Sequence, residues 1–553
     1  MRIERLKIRN YRSLRSVDLV LPKVCALVGP NSSGKSNILK ALKLALAQDW
    51  VRADSVQDAD HWMGDPSSAV MIAVKFTEPV PYKKFKFQTP VEVHGICHEF
   101  GRKASGESSY TATCRDGNGE IANGPMQAPK KGAGAENKFG PIFEIPEAVR
   151  EAIPTIYIGT DRSMKDQLPE RNMSMLRRML RDIEEELQSA ECSIDVKDPD
   201  GTTIQRPRQQ HFRTLMAEAM KTLRTAKFEA LETSICKHIL ENLGMDPVKD
   251  AGKLAFHFEP LQPVDFFKAL DLRVTDDSGF QSEASDLGDG VQNAMVLAIL
   301  RTYEELKKKG AIFLIEEPEM FLHPQMQRSL YKTLREIGEN NQVIYTTHSP
   351  LFVSVPDYDK VRMVRKGPRG TEVNASDHVL DEGQKLRMQK ELTPDRNELF
   401  FAHRVLVVEG DTEKLTLPVY AQRLGIDLDA LGATILEVGG KNNLLTFARI
   451  AVSLGIPTGI LFDVDQNPDQ MRENPDLYAF EKEGHGKVWA SEHEFEAEIR
   501  RVMTNEVYNR KCDGLPGIAT KLKPARIAED EAHPIPEVFK QALLWLADRV
   551  DEV

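Results

Sequence analysis

Acidic residues follow two apolar stretches in the last third of the chain. Glu409 comes directly after the stretch RVLVV, and Glu413 lies four residues further on. The stretch TGILFDVD ends in Asp463 and Asp465. Residues four apart share a helix face and residues two apart share a strand face, so the four carboxylates are expected to meet beyond the strand ends. Such carboxylates repel each other unless Mg²⁺ or Mn²⁺ is bound, and the alternative interpretation is two unrelated acidic turns.

A candidate phosphate site lies near the N-terminus, in the sequence GPNSSGKS at residues 29–36. It fits the pattern GxxxxGK[ST] and stands between a predicted strand, VCALVG, and a predicted helix. In such a loop the backbone N–H groups face phosphate, the lysine reaches the β- and γ-phosphates, and the serine binds Mg²⁺. The predicted ATP-binding residues are Gly29, Asn31, Ser32, Ser33, Gly34, Lys35 and Ser36, and Ser36 is also a predicted magnesium ligand.

Later strands supply the other groups that an ATPase of this type needs. The strand in AIFLIEEPEMFLHP ends in Glu316, predicted to hold the Mg²⁺ of the nucleotide, and Glu317, placed to polarise the attacking water. The strand in VIYTTHSP ends in His348, which can sense the γ-phosphate. The turn SDLGDGVQ places Gly288 and Gly290 where their N–H groups can face a phosphate. Taken singly, these features have structural alternatives: a solvated acidic turn, a structural histidine and an ordinary glycine turn.

Length and composition describe a globular protein of several domains. The chain has 553 residues, too many for one core, with 41% hydrophobic and 28% charged residues. Its formal net charge of -11 makes a protein that coats nucleic acid less expected, without excluding DNA binding at local basic clusters. The six cysteines have no CxxC spacing, and neither a bilayer-spanning apolar run nor a signal-peptide core is present. These features predict a cytoplasmic protein that uses no membrane.

The pattern of elements predicts an α/β fold with a helical insertion. Residues 164–190 and 209–243 have apolar residues at helical spacing, and the polar stretch 195–207 separates them. Two such helices form either a dimerisation arm or a subdomain packed on its own chain. Residues 366–396 are polar and are predicted to be a linker, after which a second α/β unit begins at HRVLVVEG.

The order of these motifs in residues 1–360 resembles that of the ABC-type ATPase heads of the SMC, RecF and Rad50 group. The shared order is a P-loop, a helical insertion, a signature-like loop, paired acids and a switch histidine. The resemblance implies that the signature loop of one head caps ATP held by another, and hence a homodimer or a larger even-numbered oligomer. Two features differ: Glu316 stands where many members have aspartate, and the signature is LGDGVQ, not LSGGQ.

The acidic pattern of the C-terminal part, a Glu after one strand and DxD after a later one, resembles the Toprim domain. An ABC-type head followed directly by Toprim resembles the OLD family of nucleases, which includes the nuclease subunit of Gabija-type anti-phage systems. The passages LFFAHRVLVVEGDTEK, ILEVGGKNN and IEEPEMFLHP also look like OLD sequence. The resemblance implies an ABC/SMC-like P-loop ATPase head at 1–163 and 271–395, a helical insertion at 164–270 and a Toprim domain at 396–553.

The resemblance also implies which residues cleave DNA with two metal ions, one generating hydroxide and the other stabilising the departing 3′ oxygen. The implied metal ligands are Glu409, Glu413, Asp463, Asp465, Glu494 and Glu496, with Glu492 as an alternative in the last pair. Lys523, just before Pro524, matches the phosphate-binding lysine of the family better than Lys521 does. The predicted catalytic residues are therefore Glu317 and His348 in the ATPase, and Glu409, Asp463 and Lys523 in the nuclease.

Other functions are alternatives to an ATP-regulated DNA endonuclease. The Toprim domain could be catalytically silent, in an ATPase sensor that acts through a partner. A topoisomerase needs a nucleophilic tyrosine on a dedicated domain, a primase usually has a zinc module, and a transporter subunit leaves the Toprim pattern unexplained. Whether ATP activates or restrains cleavage stays open, as does the need for a helicase-like partner protein. Basic residues that could hold DNA, or simply be solvated charges, are Arg177, Arg178, Arg181, Arg362, Arg365 and Lys366.

Overall fold

The chain forms two compact units: Met1–Thr160 together with Lys309–Val553, and Asp161–Lys308. The second unit therefore contains residues 271–308, which were expected to return to the ATPase head, and the predicted domain boundaries stay a prediction. No helix of the described residues is long and apolar enough to cross a bilayer. The structure, a computed structural model, describes all residues except 48–49, 84–89, 126–138, 161–167, 169–173, 190, 198–200, 244, 250–252, 254–261, 276–277, 308–309, 391–393, 465–473, 493 and 549–553.

The N-terminal strands alternate buried and exposed residues and form an antiparallel sheet. In β1 (Ile3–Tyr11) the apolar side chains of Ile3, Leu6 and Ile8 are buried, since alternate residues of a strand face the same side. The other strands are β2 (Leu14–Val20), β4 (Val70–Tyr82), β5 (Val91–Arg102) and β6 (Ser108–Arg115). The strand order is β2–β1–β4–β5–β6. A short hairpin, β7 (Asn123–Pro125) with β8 (Phe139–Pro141), and helix α2 (Glu147–Glu151) follow.

A second sheet carries the nucleotide motifs. Its strands are β3 (Val24–Val28), β9 (Thr155–Ile158), β14 (Ile312–Ile315), β15 (Gln342–Thr347), β16 (Val361–Gly367) and β17 (Gly370–Ala375), in the order β17–β16–β3–β15–β14–β9. All neighbouring pairs are parallel except β16 with β17. Helix α1 (Lys35–Ala45) lies between the two sheets, because its buried Ile38, Leu39 and Leu42 belong to one hydrophobic core with residues of both. Helix α8 (Pro324–Asn340) connects β14 to β15.

The predicted linker at 366–396 is wrong over its first part. Residues 370–375 form β17, which pairs with β16 as the edge of the ATPase sheet. Helix α9 (Glu382–Lys390) and a 3₁₀ helix (Pro394–Phe401) follow. A polar edge strand has one solvent-facing side, so it lacks the apolar pattern of the strands inside the sheet.

Two of the basic residues considered for DNA binding have structural partners. Arg362 is buried and donates to the backbone oxygens of Val20, Asp359 and Val361. Arg365 donates to the backbone oxygens of Ala402, at 2.9 Å, and Gly455, at 3.1 Å. These guanidinium groups therefore hold the chain together instead of lining a DNA surface.

The second unit contains helices and two small hairpins. The hairpins are β10 (Ser193–Lys197) with β11 (Thr203–Pro207), and β12 (Arg273–Thr275) with β13 (Gln281–Glu283). The helices are α3 (Met175–Gln188), α4 (Arg208–Leu223), α5 (Ala226–Asn242), α6 (Pro263–Lys268) and α7 (Asp289–Lys307).

Two expectations about this unit are corrected. In the polar stretch 195–207, residues 195–197 and 203–207 belong to two paired antiparallel strands, because Val196 and Ile204 alternate with polar residues as strand residues do. The predicted helix 209–243 is two helices, since Thr225 caps the start of α5, where its hydroxyl accepts a hydrogen bond from Phe228 N at 3.3 Å. Most of residues 164–174, predicted as helix, lie outside the described residues.

The C-terminal part is a parallel sheet covered by helices. The strands are β18 (Arg404–Val408), β19 (Ala433–Glu437), β20 (Thr458–Asp463) and β21 (Lys487–Ser491), in the order β19–β18–β20–β21. The helices are α10 (Asp411–Arg423), α11 (Leu428–Leu431), α12 (Lys441–Ser453), α13 (Asn474–Lys482), α14 (Phe495–Met503), α15 (Asn505–Asp513), α16 (Lys523–Ala528) and α17 (Glu537–Leu546). Parallel strands buried on both faces read as continuous apolar runs, as RVLVV and TGILF do.

Candidate functional sites

The loop 29–36 closes around the carboxyl end of β3, and two glycines permit its path. At Gly29 φ is +153°, and an added Cβ would lie 1.9 Å from the backbone oxygen of Val364. At Gly34 φ is +111°, and an added Cβ would lie 2.3 Å from Thr371 Oγ1. The loop therefore packs directly on the β16–β17 hairpin, and larger residues at either glycine would break that contact.

Lys35 turns back into this loop. Its Nζ donates to the backbone oxygens of Gly29 and Pro30, both at 2.8 Å. Burial lowers the pKa of Lys35 to about 8, while the charges of Glu317 and Glu319 raise it. Backbone carbonyl groups alone compensate the positive charge of a buried ammonium group poorly. Binding of an anion such as phosphate in this loop is therefore favoured.

The remaining loop residues fit a phosphate chain. Ser33 is buried, and its Oγ has no hydrogen-bond partner among the described residues. Asn31 and Ser32 are exposed, and Ser36 lies half-buried in the first turn of α1. Backbone N–H groups at a helix start and an unsatisfied hydroxyl together suit a phosphate and its metal ion.

The carboxyl ends of three adjacent strands bring the other nucleotide residues to this loop. Because β15 lies between β3 and β14, His348 stands between the P-loop and the paired acids. Glu316 is buried and accepts a hydrogen bond from Tyr157 OH at 2.9 Å. The backbone N of Glu317 donates to Thr346 O at 3.1 Å, and Glu317 has a φ of +43°. A non-glycine residue held in this region is a strained position of the kind found at functional sites.

Glu317 and His348 lie side by side. His348 Nε2 is 3.8 Å from Glu317 Oε1. Burial and the charge of Lys35 lower the pKa of His348, while Glu317 raises it. The structure thus brings Lys35, Glu316, Glu317 and His348 to one sheet edge, as predicted from their positions after successive strands.

Glu319 is a residue of this site that the sequence analysis did not identify. Its Oε1 accepts hydrogen bonds from the backbone N of His348, at 2.6 Å, and from Thr347 Oγ1, at 2.8 Å. Burial raises the pKa of Glu319, and the charge of Glu317 adds to that rise. Glu319 is the third acid of the sequence EEPE, and its position two residues after Glu317 could have identified it as a residue of this site. It positions the switch histidine from the segment that follows the neighbouring parallel strand, β14.

The glycine turn of the second unit is closed by its own glutamine. Gln292 Nε2 donates to the backbone oxygens of Ser285, at 3.1 Å, and Leu287, at 2.7 Å. A Cβ on Gly288 would meet nothing within 4 Å, and Gly290 lies in the first turn of α7. The contribution of Gly288 and Gly290 to an ATP site stays a prediction.

The C-terminal acids are joined by main-chain hydrogen bonds. Glu409 Oε1 accepts from the backbone N of Asp463 at 2.9 Å. Asp463 Oδ2 accepts from the backbone N of Phe495 at 3.0 Å, which connects the end of β20 to the start of α14. Both carboxylates therefore lie at the carboxyl edge of the parallel sheet, where ligands of such sheets bind.

Glu413 completes a carboxylate cluster at this edge. It lies in the first turn of α10 and is only 6% exposed. Burial raises the pKa of Glu413 to about 7, and the charges of Glu409 and Glu496 act in the same direction. Carboxylate oxygens are the ligands that a divalent cation such as Mg²⁺ or Mn²⁺ prefers.

The later acids differ in where they lie. The charge of Glu496 raises the pKa of Glu413. Glu492 instead forms an ion pair with Arg501, and Glu494 is exposed at the start of α14. Asp465 lies outside the described residues. Within the described part of the chain, no three histidine, cysteine, aspartate or glutamate side chains are grouped as ligands of a single ion.

Three lysines of the C-terminal part have different partners. Lys521 Nζ lies 2.5 Å from Asp411 Oδ2, at the start of the helix that carries Glu413. Lys523 Nζ donates to the backbone oxygen of Cys512 at 3.0 Å. Lys441, which the sequence analysis did not identify, donates to the backbone oxygen of Asp463. The feature of the sequence that could have identified Lys441 is its position directly after the two glycines of ILEVGGKNN.

The fold and the two sites define a P-loop ATPase joined to a Toprim domain. The family model described as AAA ATPase domain matches residues 1–353. The model described as the TOPRIM domain of overcoming lysogenization defect protein-like proteins matches residues 400–465. The chain belongs to the AAA ATPase domain family and, with its TOPRIM domain, to the OLD family of nucleases. This confirms the resemblance seen in the sequence.

Several named relatives are similar along much of the chain. The OLD nuclease of Thermus scotoductus is 27% identical over 482 residues, covering 84% of this chain and 82% of that protein. The Old nuclease of Escherichia phage P2 is 24% identical over 493 residues, covering 84% of this chain and 77% of that protein. Endonuclease GajA of Bacillus cereus strain VD045 is 32% identical over 160 residues, covering 28% of this chain and 26% of that protein.

Proposed function

We propose that this protein is an ATP-regulated endonuclease that hydrolyses DNA phosphodiester bonds with Mg²⁺ or Mn²⁺. The observation that carries the proposal is the hydrogen bond from Asp463 N to Glu409 Oε1, at 2.9 Å, which holds Glu409 at the carboxyl edge of the sheet, where Asp463 and the buried Glu413 also lie. Like charges in a buried cluster are unfavourable unless cations bind them. The Toprim domain and the nuclease relatives support the same reaction class.

The carboxylates would hold the metal ions at the sheet edge. Glu409, Glu413, Asp463 and Glu496 are the described residues proposed for this role, and Asp465 is proposed from its sequence position. Bound metal ions would supply hydroxide and stabilise the charge of the departing 3′ oxygen. The hydrogen bond from Asp463 N would orient the Glu409 carboxylate at this edge.

Lys521 is the better supported candidate for contacting the scissile phosphate. It lies at the start of α10, next to the acids, whereas Lys523 is directed to the backbone of Cys512. The ion pair with Asp411 is exposed, so a phosphate can compete with it at small cost. The predicted role therefore moves from Lys523 to Lys521 in this proposal.

In the ATPase part, Lys35, Ser36 and Glu316 would hold MgATP, and Glu317 would orient the attacking water. His348, 3.8 Å from Glu317, would contact the γ-phosphate. Glu319 would hold His348 in place through its main-chain N–H. ATP bound here would regulate cleavage at the distant carboxylates.

The assembly is proposed to be a homodimer or a larger even-numbered oligomer. Helices α4 and α5 of the second unit, together with Leu243 directly after α5, expose large apolar side chains, which support an interface there. Those exposed residues are Leu215, Leu223, Leu231 and Leu243.

Resemblance to Gabija-type nuclease subunits supports a role in anti-phage defence with a separate helicase-like partner. The six cysteines, all among the described residues, are free thiols, which suits action in the cytoplasm.

Cleavage of supercoiled plasmid tests the proposal. Wild-type protein is incubated with Mg²⁺ or Mn²⁺, with and without ATP, beside Glu409→Ala and the matched control Glu492→Ala. Glu492 forms an exposed ion pair with Arg501, so its variant should cut as wild type does. Nicking or linearisation that Glu409→Ala loses and Glu492→Ala keeps supports the site. Cleavage retained in Glu409→Ala would refute it, and a wild type that never cuts would favour an ATPase sensor with a silent Toprim domain.

A further inference from the structure

The 3₁₀ helix Pro394–Phe401 connects the ATPase sheet to the Toprim sheet through two neighbouring buried side chains. Arg396 is 7% exposed and Asn397 is 6% exposed. Buried polar groups are unfavourable unless they are hydrogen-bonded, so both side chains depend on their partners. Those partners lie in different parts of the unit, one after the switch histidine and one beside the nuclease acids.

Asn397 binds the segment that follows His348. Its Nδ2 donates to the backbone oxygens of Pro350 and Val353, both at 2.9 Å. Its Oδ1 accepts from the backbone N of Val355 at 3.2 Å. Three hydrogen bonds from one side chain fix residues 350–355, which begin two positions after the histidine. A displacement of His348 therefore acts on Asn397 through a short piece of backbone.

Arg396 binds the carboxyl end of β19. One guanidinium nitrogen donates to Glu437 Oε1 at 2.8 Å, and Nε donates to the backbone oxygen of Glu437 at 3.2 Å. The guanidinium thus holds both the side chain and the main chain of Glu437. Charge-assisted hydrogen bonds in a buried setting are stronger and more directional than exposed ones.

The residues after Glu437 hold the first acid of the nuclease site. The backbone N of Val438 donates to Val408 O at 3.1 Å, and the backbone N of Gly440 donates to Glu409 O at 2.8 Å. The main chain of Glu409 is therefore fixed by the turn that Arg396 anchors. The route from His348 to Glu409 consists of hydrogen bonds and short backbone segments throughout.

We propose that Arg396 and Asn397 form a clasp that transmits the nucleotide state from His348 to Glu409. The proposal rests on the proposed function, because it names the route by which ATP regulates the nuclease site. Both are positioning residues, since neither lies at the phosphates or at the carboxylate cluster. Adjacent residues of one helical turn move together, so a shift of residues 350–355 is passed to Glu437 and then to Glu409.

Asn397→Ala in the full-length protein tests the clasp. It removes the three bonds to residues 350–355 and leaves the residues of both sites unchanged. We expect ATP hydrolysis to stay close to wild type. In wild type, the ratio of plasmid cleavage rates with and without ATP should differ from 1 by at least about fivefold in either direction. In Asn397→Ala this ratio should return to about 1.

Hydrogen exchange gives a readout that does not depend on cleavage. Peptides containing Val438 and Gly440 are compared with and without MgATP. In wild type their exchange rates should change with ATP, because these amides bind Val408 O and Glu409 O. In Asn397→Ala the change should disappear. A wild type in which ATP leaves these amides unaffected overturns the clasp.

Asn341→Ala is the matched control. Asn341 is 3% exposed, accepts from the backbone N of Ala311 at 3.0 Å and donates to Ile337 O at 3.1 Å. It lies at the amino end of β15, opposite the switch histidine. Asn341→Ala removes buried hydrogen bonds comparable to those that Asn397→Ala removes. The Asn341→Ala protein should therefore have a lower melting temperature, but its cleavage should still respond to ATP. A control that loses the response as well reduces the effect to general destabilisation and overturns the clasp.

A second variant, Arg396→Lys, keeps the charge beside Glu437 but cannot bind both of its oxygens. Arg396→Lys should also weaken the ATP response. If Asn397→Ala does not fold, Arg396→Lys provides the test of the clasp. A folded variant of either residue with the wild-type ATP response overturns the clasp. If wild type does not cut DNA but the ATP-dependent exchange is lost in Asn397→Ala, the clasp stands and the nuclease proposal fails.

Discussion

Lys521 and Asp411, 110 positions apart in the chain, form an ion pair at the start of the helix that carries Glu413. Lys521 Nζ lies 2.5 Å from Asp411 Oδ2. The C-terminal helices thereby bring a cation to the edge of the carboxylate cluster. Lys523, two residues on, donates instead to the backbone oxygen of Cys512, at 3.0 Å.

The two lysines should therefore differ in their effect on cleavage. Lys521→Met is expected to lower the plasmid cleavage rate about 10- to 100-fold, because a cation near the scissile phosphate stabilises developing charge. Lys523→Met should leave the rate near wild type. Initial rates at saturating Mn²⁺ measure the difference. The opposite order of effects would restore the assignment predicted from sequence.

Glu319 should matter for ATP hydrolysis and not for ATP binding. Glu319→Ala removes the acceptor of the His348 N–H, and the displaced histidine should lower the hydrolysis rate about 10- to 100-fold. Glu319→Gln keeps an acceptor oxygen and should restore most of the rate. Phosphate release and nucleotide affinity are measured on the same samples. An alanine variant that hydrolyses ATP normally would contradict the positioning role.

ATP should stabilise the protein through Lys35. Nucleotide that binds only the folded state raises stability, by about 2.7 kcal/mol at a hundredfold excess over Kd. Lys35→Met should abolish the rise in melting temperature that MgATP produces, since the ammonium lies inside the phosphate loop. Lys40→Met, on the same helix, should keep it. Thermal melts with and without MgATP make the comparison, and an ATP response retained by Lys35→Met would place the nucleotide elsewhere.

Stability should fall between pH 7 and pH 5 because of His98. This side chain is bonded to Tyr110 OH at 2.9 Å and Ala45 O at 3.0 Å, and burial lowers its pKa from 6.5 to about 4. The unfolded chain binds the proton at pH 5 and the folded chain does not, so acidification favours unfolding. The loss attributable to His98 at pH 5 is about 2 kcal/mol.

Urea unfolding of wild type and His98→Gln at the two pH values isolates that contribution. Glutamine keeps hydrogen-bonding capacity but does not titrate, so the variant should lose less stability on acidification. Equal losses in both proteins would show that His98 charges in the folded state or that other groups dominate.

Short local patterns were enough to predict the individual motifs. A P-loop is a strand, a glycine turn and a helix within a few residues, and the acids after AIFLI, RVLVV and TGILF each follow a buried apolar run. Glycines such as Gly29 and Gly34 are needed by the local backbone, so their spacing can be read directly. The family resemblance followed from the order of these patterns.

Long-range pairing could not be predicted in the same way. Strand β17 is polar because it is an edge, so 370–375 looked like a linker. Glu319, Lys441 and Lys521 acquire their roles from partners on other elements, which no local spacing records. The same holds for the register of the later acids, where only the fold distinguishes Glu496 from Glu492.

The sequence by itself determined which chemistry the chain carries, because phosphate loops and strand-end acids depend on residue type and short spacing. The tertiary structure decided how the two chemistries are connected. Arg396 and Asn397 stand in an unremarkable polar stretch, and only their burial between residues 350–355 and Glu437 gives them a function. Hydrogen bonds between distant elements depend on the packed fold, so they leave no periodic trace in the sequence.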